Sequence, residues 1–318
     1  MIYDSKQLKT LSVLFEKYLC ECQYSKGLRP RTLVGYLEVF NTFQKIVPEV
    51  ITANDLNPQV MTLFFKRIST RERIVGRDTI RIGVKPSTIK TYHNKLIAFF
   101  KWLEENNHIE NKSLTEKIIT PPEPIYNDER ALSKEDISKI IASIALNTTH
   151  DEFLYKRDML IISLLIYTGI RKTELLSLKV QDIDFNQRSL FIDGKTSKSK
   201  KSRFIPLHIT VIMHLKNYLT QRKARGTTTD ALIISSQSDK GFSEHGLKHW
   251  IQKYRRLSGV RFHLHQMRHS FACSLARSGA DITTIMKALG HTTMRMTERY
   301  LRSISSENSR DYIDKLSY

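Results

Sequence analysis

The sequence is poor in the residues that would place it outside the cell or in a membrane. It holds three cysteines in 318 residues, Cys20, Cys22 and Cys273, too few for a disulfide framework and without metal-motif spacing. Residues two apart on a helix point away from each other, so Cys20 and Cys22 do not pair, and all three read as core fillers in a reducing compartment. The opening residues, MIYDSKQLK, are polar and lack the apolar stretch of a secretion signal. The longest apolar run, MLIISLLIYTGI from Met159 to Ile170, is too short for a bilayer and reads as a buried helix. A cytoplasmic, nucleoid-associated chain with no membrane partner is expected. Acidic residues are scarce as well, with 32 Asp and Glu against 51 Lys and Arg and a formal charge of +19. Such an excess repels itself on folding and is tolerated where a polyanion is held, which favours nucleic acid over an anionic membrane. No acidic cluster with metal-ligand spacing accompanies the basic residues. That speaks against a two-metal nuclease, and no metal or other cofactor is expected.

What is present is mainly α with a small β-sheet. Leu8, Leu11, Phe15, Tyr18 and Cys22 share one helical face, and Leu33, Tyr36, Phe40 and Phe43 share another. A third helix is expected from about Asn54 to Ile68. A fourth runs from Pro86 to about Asn106, with Ile89, Tyr92, Leu96, Phe99, Phe100 and Leu103 facing the core. The basic stretch RERIVGRDTIRIG between them reads as a loop or a short hairpin lying on DNA. The segment TPPEPIYNDER combines proline and charge without apolar period, the signature of a linker over 120–130. A helical domain over 1–119 and a second domain over 131–318 follow. In the second, Ser133 to Asp136 resembles a capping box. SLFID (Ser189 to Asp193) and SRFIPL (Ser202 to Leu207) read as two strands joined by a lysine-rich turn.

Four islands of the second domain carry polar groups that helical patterning does not require. In Thr168-Gly-Ile-Arg171-Lys-Thr-Glu174, a guanidinium at the opening of a helix suits a phosphate, although pairing with Glu174 is the plainer reading. Lys195, Lys198, Lys200 and Lys201 crowd the hairpin turn, where lysines are usually only solvated. His265 and Arg268 lie one turn apart on one helical face. Gly290 reads as a helix C-cap that fixes His291 in a turn, nine residues before Tyr300. Each island alone is commonplace. Together, two arginines, two histidines, a lysine and a tyrosine form a set suited to metal-free phosphodiester transfer, which needs charge stabilisation, an acid and a positioned nucleophile. Tyrosine, with an ordinary pKa of about 10, needs cationic surroundings or a base to become that nucleophile.

These residues resemble the tyrosine recombinase, or phage integrase, family. TGIRKTELLSLK resembles its first-arginine motif, HLHQMRHSFACSLARSGADITTIMKALGHTT its His-x-x-Arg helix and Leu-Gly-His turn, and MTERYLR its nucleophile segment. The resemblance implies a helical core-binding (SAM-like) bundle followed by a mixed α/β catalytic domain, closing as a clamp on duplex DNA. It implies that Arg171 and Arg268 hold the scissile phosphate, that His265 transfers a proton or donates to the phosphate, and that His291 hydrogen-bonds a non-bridging oxygen. Tyr300 would attack to give a 3′-phosphotyrosyl link, and a hairpin lysine would protonate the departing 5′ oxygen. Counting back from Pro206 makes that lysine Lys198; counting forward from Arg171 makes it Lys195. The local register of the returning strand favours Lys198. Arg29, Arg31, Lys90 and Lys195 are candidate DNA contacts.

The implied partners are double-stranded core sites, a homo-tetramer on synapsed DNA and accessory DNA-bending proteins. No extra arm-binding domain is evident before the bundle, which favours inversion, small-element mobility or dimer resolution. The tail with Tyr312, Ile313 and Leu316 docks either on a neighbouring protomer or on its own domain. Two rival readings are a catalytically silent DNA-binding regulator on the same fold and a type IB topoisomerase-like strand transferase.

Overall fold

A computed structural model of the chain describes residues 10–76, 79–110, 112–123, 131–148, 150–197 and 200–301, and for residues 295 and 299–301 the backbone alone. Contacts divide the chain into two compact units, 1–125 and 126–318.

The first unit is a helical bundle: α1 (Leu11–Tyr24), α2 (Pro30–Ile46), a 3-10 turn (Ala53–Asp55), α3 (Pro58–Thr70), α4 (Pro86–Glu105) and the single turn α5 (Leu114–Lys117). Proline opens α2, α3 and α4, where its missing N–H costs nothing. The third helix starts later than its pattern predicts. Asn57 accepts from the Val60 amide and caps it, and the preceding residues form the tighter 3-10 turn closed by Asp55 on Thr52. The core is aromatic. Phe15 stacks on Phe40 with ring centroids 3.8 Å apart, and Phe99 meets both edge-on at 5.1 and 5.6 Å. Leu8 lies outside the described residues. Cys22 is buried, whereas Cys20 is exposed and is no core filler. Two residues at 3.6 per turn cannot both face one core.

Between α3 and α4 the basic stretch is a hairpin, β1 (Glu72–Val75) with β2 (Thr79–Ile82), pairing Arg73 with Arg81 and Ile74 with Ile80. Lys90 on α4 turns inward to Pro121 O (3.2 Å) and Glu123 (3.0 Å), while Arg29 and Arg31 at the start of α2 are exposed.

The second unit contains α6 (Lys134–Thr148), α7 (Glu152–Thr168), α8 (Lys172–Ser177), a three-stranded sheet, α9 (Ile209–Ala224), α10 (Glu244–Ser258), α11 (Leu264–Arg277), α12 (Ile282–Leu289) and α13 (Met294–Leu301). The sheet is antiparallel in the order β3 (Ile183–Asp184), β4 (Ser189–Ile192), β5 (Arg203–Pro206). Both patterned strands form, and the two-residue β3, too short to show a period, joins them. Ser133 and Asp136 close their capping box around the start of α6. Helix α7 is apolar all round over its second half, from Met159, and packs against α6, α9 and α11 as such a segment must. Among the described residues, no helix is long and apolar enough to cross a membrane.

Candidate active site

Helices α7 and α12 end in left-handed glycines, and those two ends build the site. Gly169 has φ +57° and Gly290 φ +63°. A Cβ would strike Phe271 Cδ1 at 2.4 Å in the first case and the Arg203 guanidinium at 2.9 Å in the second. Only glycine combines that conformation with that close approach.

A helix C-terminus presents carbonyls that carry partial negative charge and lack intrahelical donors. At the end of α12, three consecutive carbonyls each take an arginine from a different element. Arg203 of β5 donates from Nε to Ala288 O (3.2 Å). Arg268 of α11 donates to Leu289 O (2.6 Å), and Arg171, the N-cap of α8, to Gly290 O (3.2 Å). Arg268 also donates to Gly169 O (2.7 Å), so one buried guanidinium ties together the ends of α7 and α12.

Glu174 holds this cluster from beneath. Its carboxylate accepts from both terminal nitrogens of Arg203 (3.0 and 2.8 Å), from Arg171 Nη1 (2.9 Å) and from the Arg171 amide (2.9 Å). The side chain is wholly buried. Burial alone would raise its pKa, but these donors outweigh it and hold the carboxyl at about 2. Three guanidinium charges against one carboxylate leave the cluster cationic. A cleft of about 220 Å³ opens beside it, lined by Lys201, Ser202, Arg203, Lys287, Gly290, His291 and Thr292.

His291 follows the glycine cap, and its amide donates to Met286 O. Its Nε2 lies 2.9 Å from Arg268 Nη2, and its Nδ1 lies 2.8 Å from the Thr297 hydroxyl on α13. Burial, and then the charges of Arg268, Arg171, Arg203 and His265, push its pKa down to about 3, so the ring is neutral at physiological pH. An arginine only donates, so Nε2 accepts and the proton sits on Nδ1, facing Thr297. His265 opens α11, exposed, and contributes to the field on His291.

The structure therefore brings Arg171, Arg268 and His291 together, with His265 at the rim and the backbone of Tyr300 on α13. Arg171 pairs with Glu174, the plainer reading of the sequence, and its guanidinium also reaches the α12 end. Ile192 pairs with Arg203, leaving Asp193–Ser202 as the turn. In it Lys195 is exposed, its amide donating to Asp193. Lys198, the Tyr300 side chain and the 302–318 tail with Tyr312, Ile313 and Leu316 lie outside the described residues. Sequence patterning missed Arg203, Lys287 and Thr297. For Arg203 a signal existed: alternation puts it on the same strand face as Ile205 and Leu207, which are buried, and a charge on such a face needs a buried partner.

The Phage integrase family model matches residues 130–307. Tyrosine recombinase XerC of Staphylococcus aureus is 26% identical over 269 residues, covering 71% of this chain and 89% of the relative. Among solved structures, the integrase of the Tn1549 transposon in complex with circular-intermediate DNA superposes with TM-score 0.70 at 17% identity, over 95% of this chain and 99% of that one. XerH bound to palindromic difH in a post-cleavage complex gives 0.69 at 19%, over 94% and 83%. A lambda integrase tetramer bound to a Holliday junction gives 0.68 at 16%, over 93% and 78%.

Proposed function

Because the chain belongs to the phage integrase family, we propose that the arginine cluster at the end of α12 is the scissile-phosphate site of a tyrosine site-specific recombinase. The chain is an enzyme that breaks and rejoins DNA. One observation carries the reading: Arg171, Arg203 and Arg268 occupy three successive carbonyls and only the first two share a carboxylate, an excess of fixed positive charge beside an open cleft. Such a site is stabilised by an anion and most of all by the added charge of a pentavalent phosphorus.

In the reaction so read, the Tyr300 phenolate attacks the phosphorus. The Oη–P bond forms, the P–O5′ bond breaks, and a 3′-phosphotyrosyl link and a 5′-hydroxyl result. The phenol proton passes to His265, and a hairpin lysine, Lys198 or else Lys195, supplies the proton that the departing O5′ takes. Arg171 and Arg268 exchange part of their carbonyl contacts for non-bridging oxygens, which a guanidinium with several donors does without turning away. Arg203 stays on Glu174 and holds the hairpin to the phosphate site. His291 contributes its Nε2 edge. Attack by the 5′-hydroxyl of a partner strand reverses the step, so neither nucleotide nor metal is consumed.

The partners follow the same reading. XerH is described on its difH substrate and lambda integrase as a tetramer on a Holliday junction, and a homo-tetramer on two synapsed core sites is the corresponding assembly here. Arg29, Arg31 and Lys195 are exposed and suit phosphate contacts. Lys90 is engaged by Glu123 and suits them less. A cytoplasmic, nucleoid-associated location and help from DNA-bending proteins accord with such a role.

The test uses nicked suicide duplexes spanning sequences that flank the gene, in EDTA and without nucleotide. A covalent adduct on a denaturing gel is expected from the wild-type chain and none from Tyr300→Phe. Tight binding of one of these duplexes without an adduct would leave only a DNA-binding protein. Lys198→Ala and Lys195→Ala, run on the same substrate, separate the two hairpin registers.

A further inference from the structure

We propose that Thr297 is a positioning residue of the reaction, setting which nitrogen of His291 carries the proton and fastening the nucleophile helix to the phosphate site. The proposal rests on the recombinase reading above and concerns a side chain that makes none of the phosphate contacts assigned there.

Three observations meet at this hydroxyl. Thr297 is fully buried, although it lies on a short helix whose neighbours Met294, Met296 and Glu298 are exposed. Its Oγ1 is 2.8 Å from His291 Nδ1, and the opposite nitrogen of that ring is 2.9 Å from Arg268. It also stands three residues before Tyr300 on α13. Two hydrogen bonds through one ring therefore link the helix of the nucleophile, the turn after Gly290 and the most buried arginine of the site.

The identity of a histidine's protonated nitrogen is set by the partner of the other nitrogen. With Thr297 as acceptor, Nδ1 carries the proton and Nε2 presents a lone pair to Arg268. That is the DNA-free arrangement, and it keeps the Arg268 guanidinium turned toward the α12 end. A hydroxyl donates as well as accepts. When a phosphate oxygen takes the place of the His291 lone pair as partner for Arg268, Thr297 can turn its proton onto Nδ1. The ring releases the Nδ1 proton to solvent and takes one on Nε2, remains neutral, and donates from Nε2 to the phosphate. Within the His291–Thr297 pair, this exchange needs only a turn of the hydroxyl proton. Valine has the shape of threonine and can make neither hydrogen bond; serine can make both.

The experiment compares the wild-type chain, Thr297→Ser and Thr297→Val, each labelled with 15N-histidine, using long-range proton–nitrogen spectra with His291 assigned through His291→Asn. The free wild-type and Ser chains should show Nδ1–H at His291, and the Val chain should lose that preference. On a suicide duplex, adduct formation in single turnover should fall about 10- to 100-fold in Thr297→Val, the scale on which partners that orient a functional histidine act. It should recover to within about threefold in Thr297→Ser, with duplex affinity alike in all three. Thermal unfolding of the three chains guards against a folding defect, and the Ser chain keeps the comparison decisive if the Val chain unfolds. A Val chain with the wild-type tautomer or rate, or a Ser chain as slow as Val, would overturn the role of Thr297. A tautomer that follows the hydroxyl in chains that bind DNA but make no adduct would overturn the recombinase reading and leave the His291–Thr297 coupling standing.

Discussion

The two units bury different chemistry. The amino-terminal unit closes on rings and aliphatic chains, and His93 is its one buried polar side chain among the described residues. The carboxy-terminal unit buries Arg157, Asp158, Glu174, Arg268, His291 and Thr297 among others. Apolar burial stabilises wherever it occurs, at roughly 25 cal/mol per Å². Buried charge costs desolvation that its partners at best offset, so it adds little net stability. The first unit therefore draws its stability from its core, while basic residues such as Arg29 and Arg31 stay at its surface. In the second, a chain of buried ions is kept in place because position matters more there than stability. The Arg157–Asp158–Tyr254 chain shows the same habit away from the site, with Tyr254 donating to Asp158 at 2.6 Å.

The contrast can be broken at its strongest points. Phe99→Ala and Glu174→Ala should each cost about 3–5 kcal/mol, the first by opening a cavity among the stacked rings and the second by stranding two guanidinium groups. Urea unfolding with limited proteolysis should assign the first loss to the amino-terminal unit and the second to the carboxy-terminal one. A Glu174→Ala cost under about 1 kcal/mol would mean that the arginines hold their places without the carboxylate.

Somewhat smaller is the effect of Arg268→Ala on chemistry. Loss of one preorganised donor to a developing charge typically slows a reaction about 100- to 1,000-fold. Adduct formation should drop on that scale while duplex affinity changes little, because phosphate contacts elsewhere supply most of the binding. Phe99→Ala, measured on the folded fraction, should leave the adduct rate alone, and an equal drop in both variants would erase the distinction between the units.

The smallest effect is a dependence on pH that His291 and Glu174 bring to the second unit. Unfolded His291 takes up its proton near the ordinary 6.5, whereas the folded ring resists until about 3. Its contribution to stability is therefore complete above 6.5 and is lost as the pH falls through that interval. Glu174 adds to the loss between about 4.5 and 2, where its unfolded form is protonated first. Urea midpoints of His291→Asn should fall less between pH 6.5 and 4 than those of the wild-type chain. Parallel curves would show that other groups govern the acid response.

Much of this was legible before any coordinates. Helical faces such as Phe15–Tyr18–Cys22 follow from a period of 3.6, and Gly290 and the His265–Arg268 spacing follow from capping and periodicity. What escaped depends on contacts between segments distant in sequence. Arg203 finds Glu174 across 29 positions, and no local pattern in β5 names the partner that permits a charge there. Thr297 is one threonine among many until α13 folds against His291. Cys20 shows the opposite failure, since residue type alone put it in a core that the helical period denies it.

Arg268 joins Gly169 and Leu289, positions 99 and 21 residues away along the chain. Synthesis on a ribosome delivers them in order, the α7 end first, the arginine much later and the α12 end last. A product interrupted before α12 carries the basic bundle and all three arginines, yet has no carbonyl triad on which to set them. In such a fragment Arg268 can reach the α7 end alone. The long reach of one side chain thus sets an order in time: the cluster closes only once the α12 end has been made.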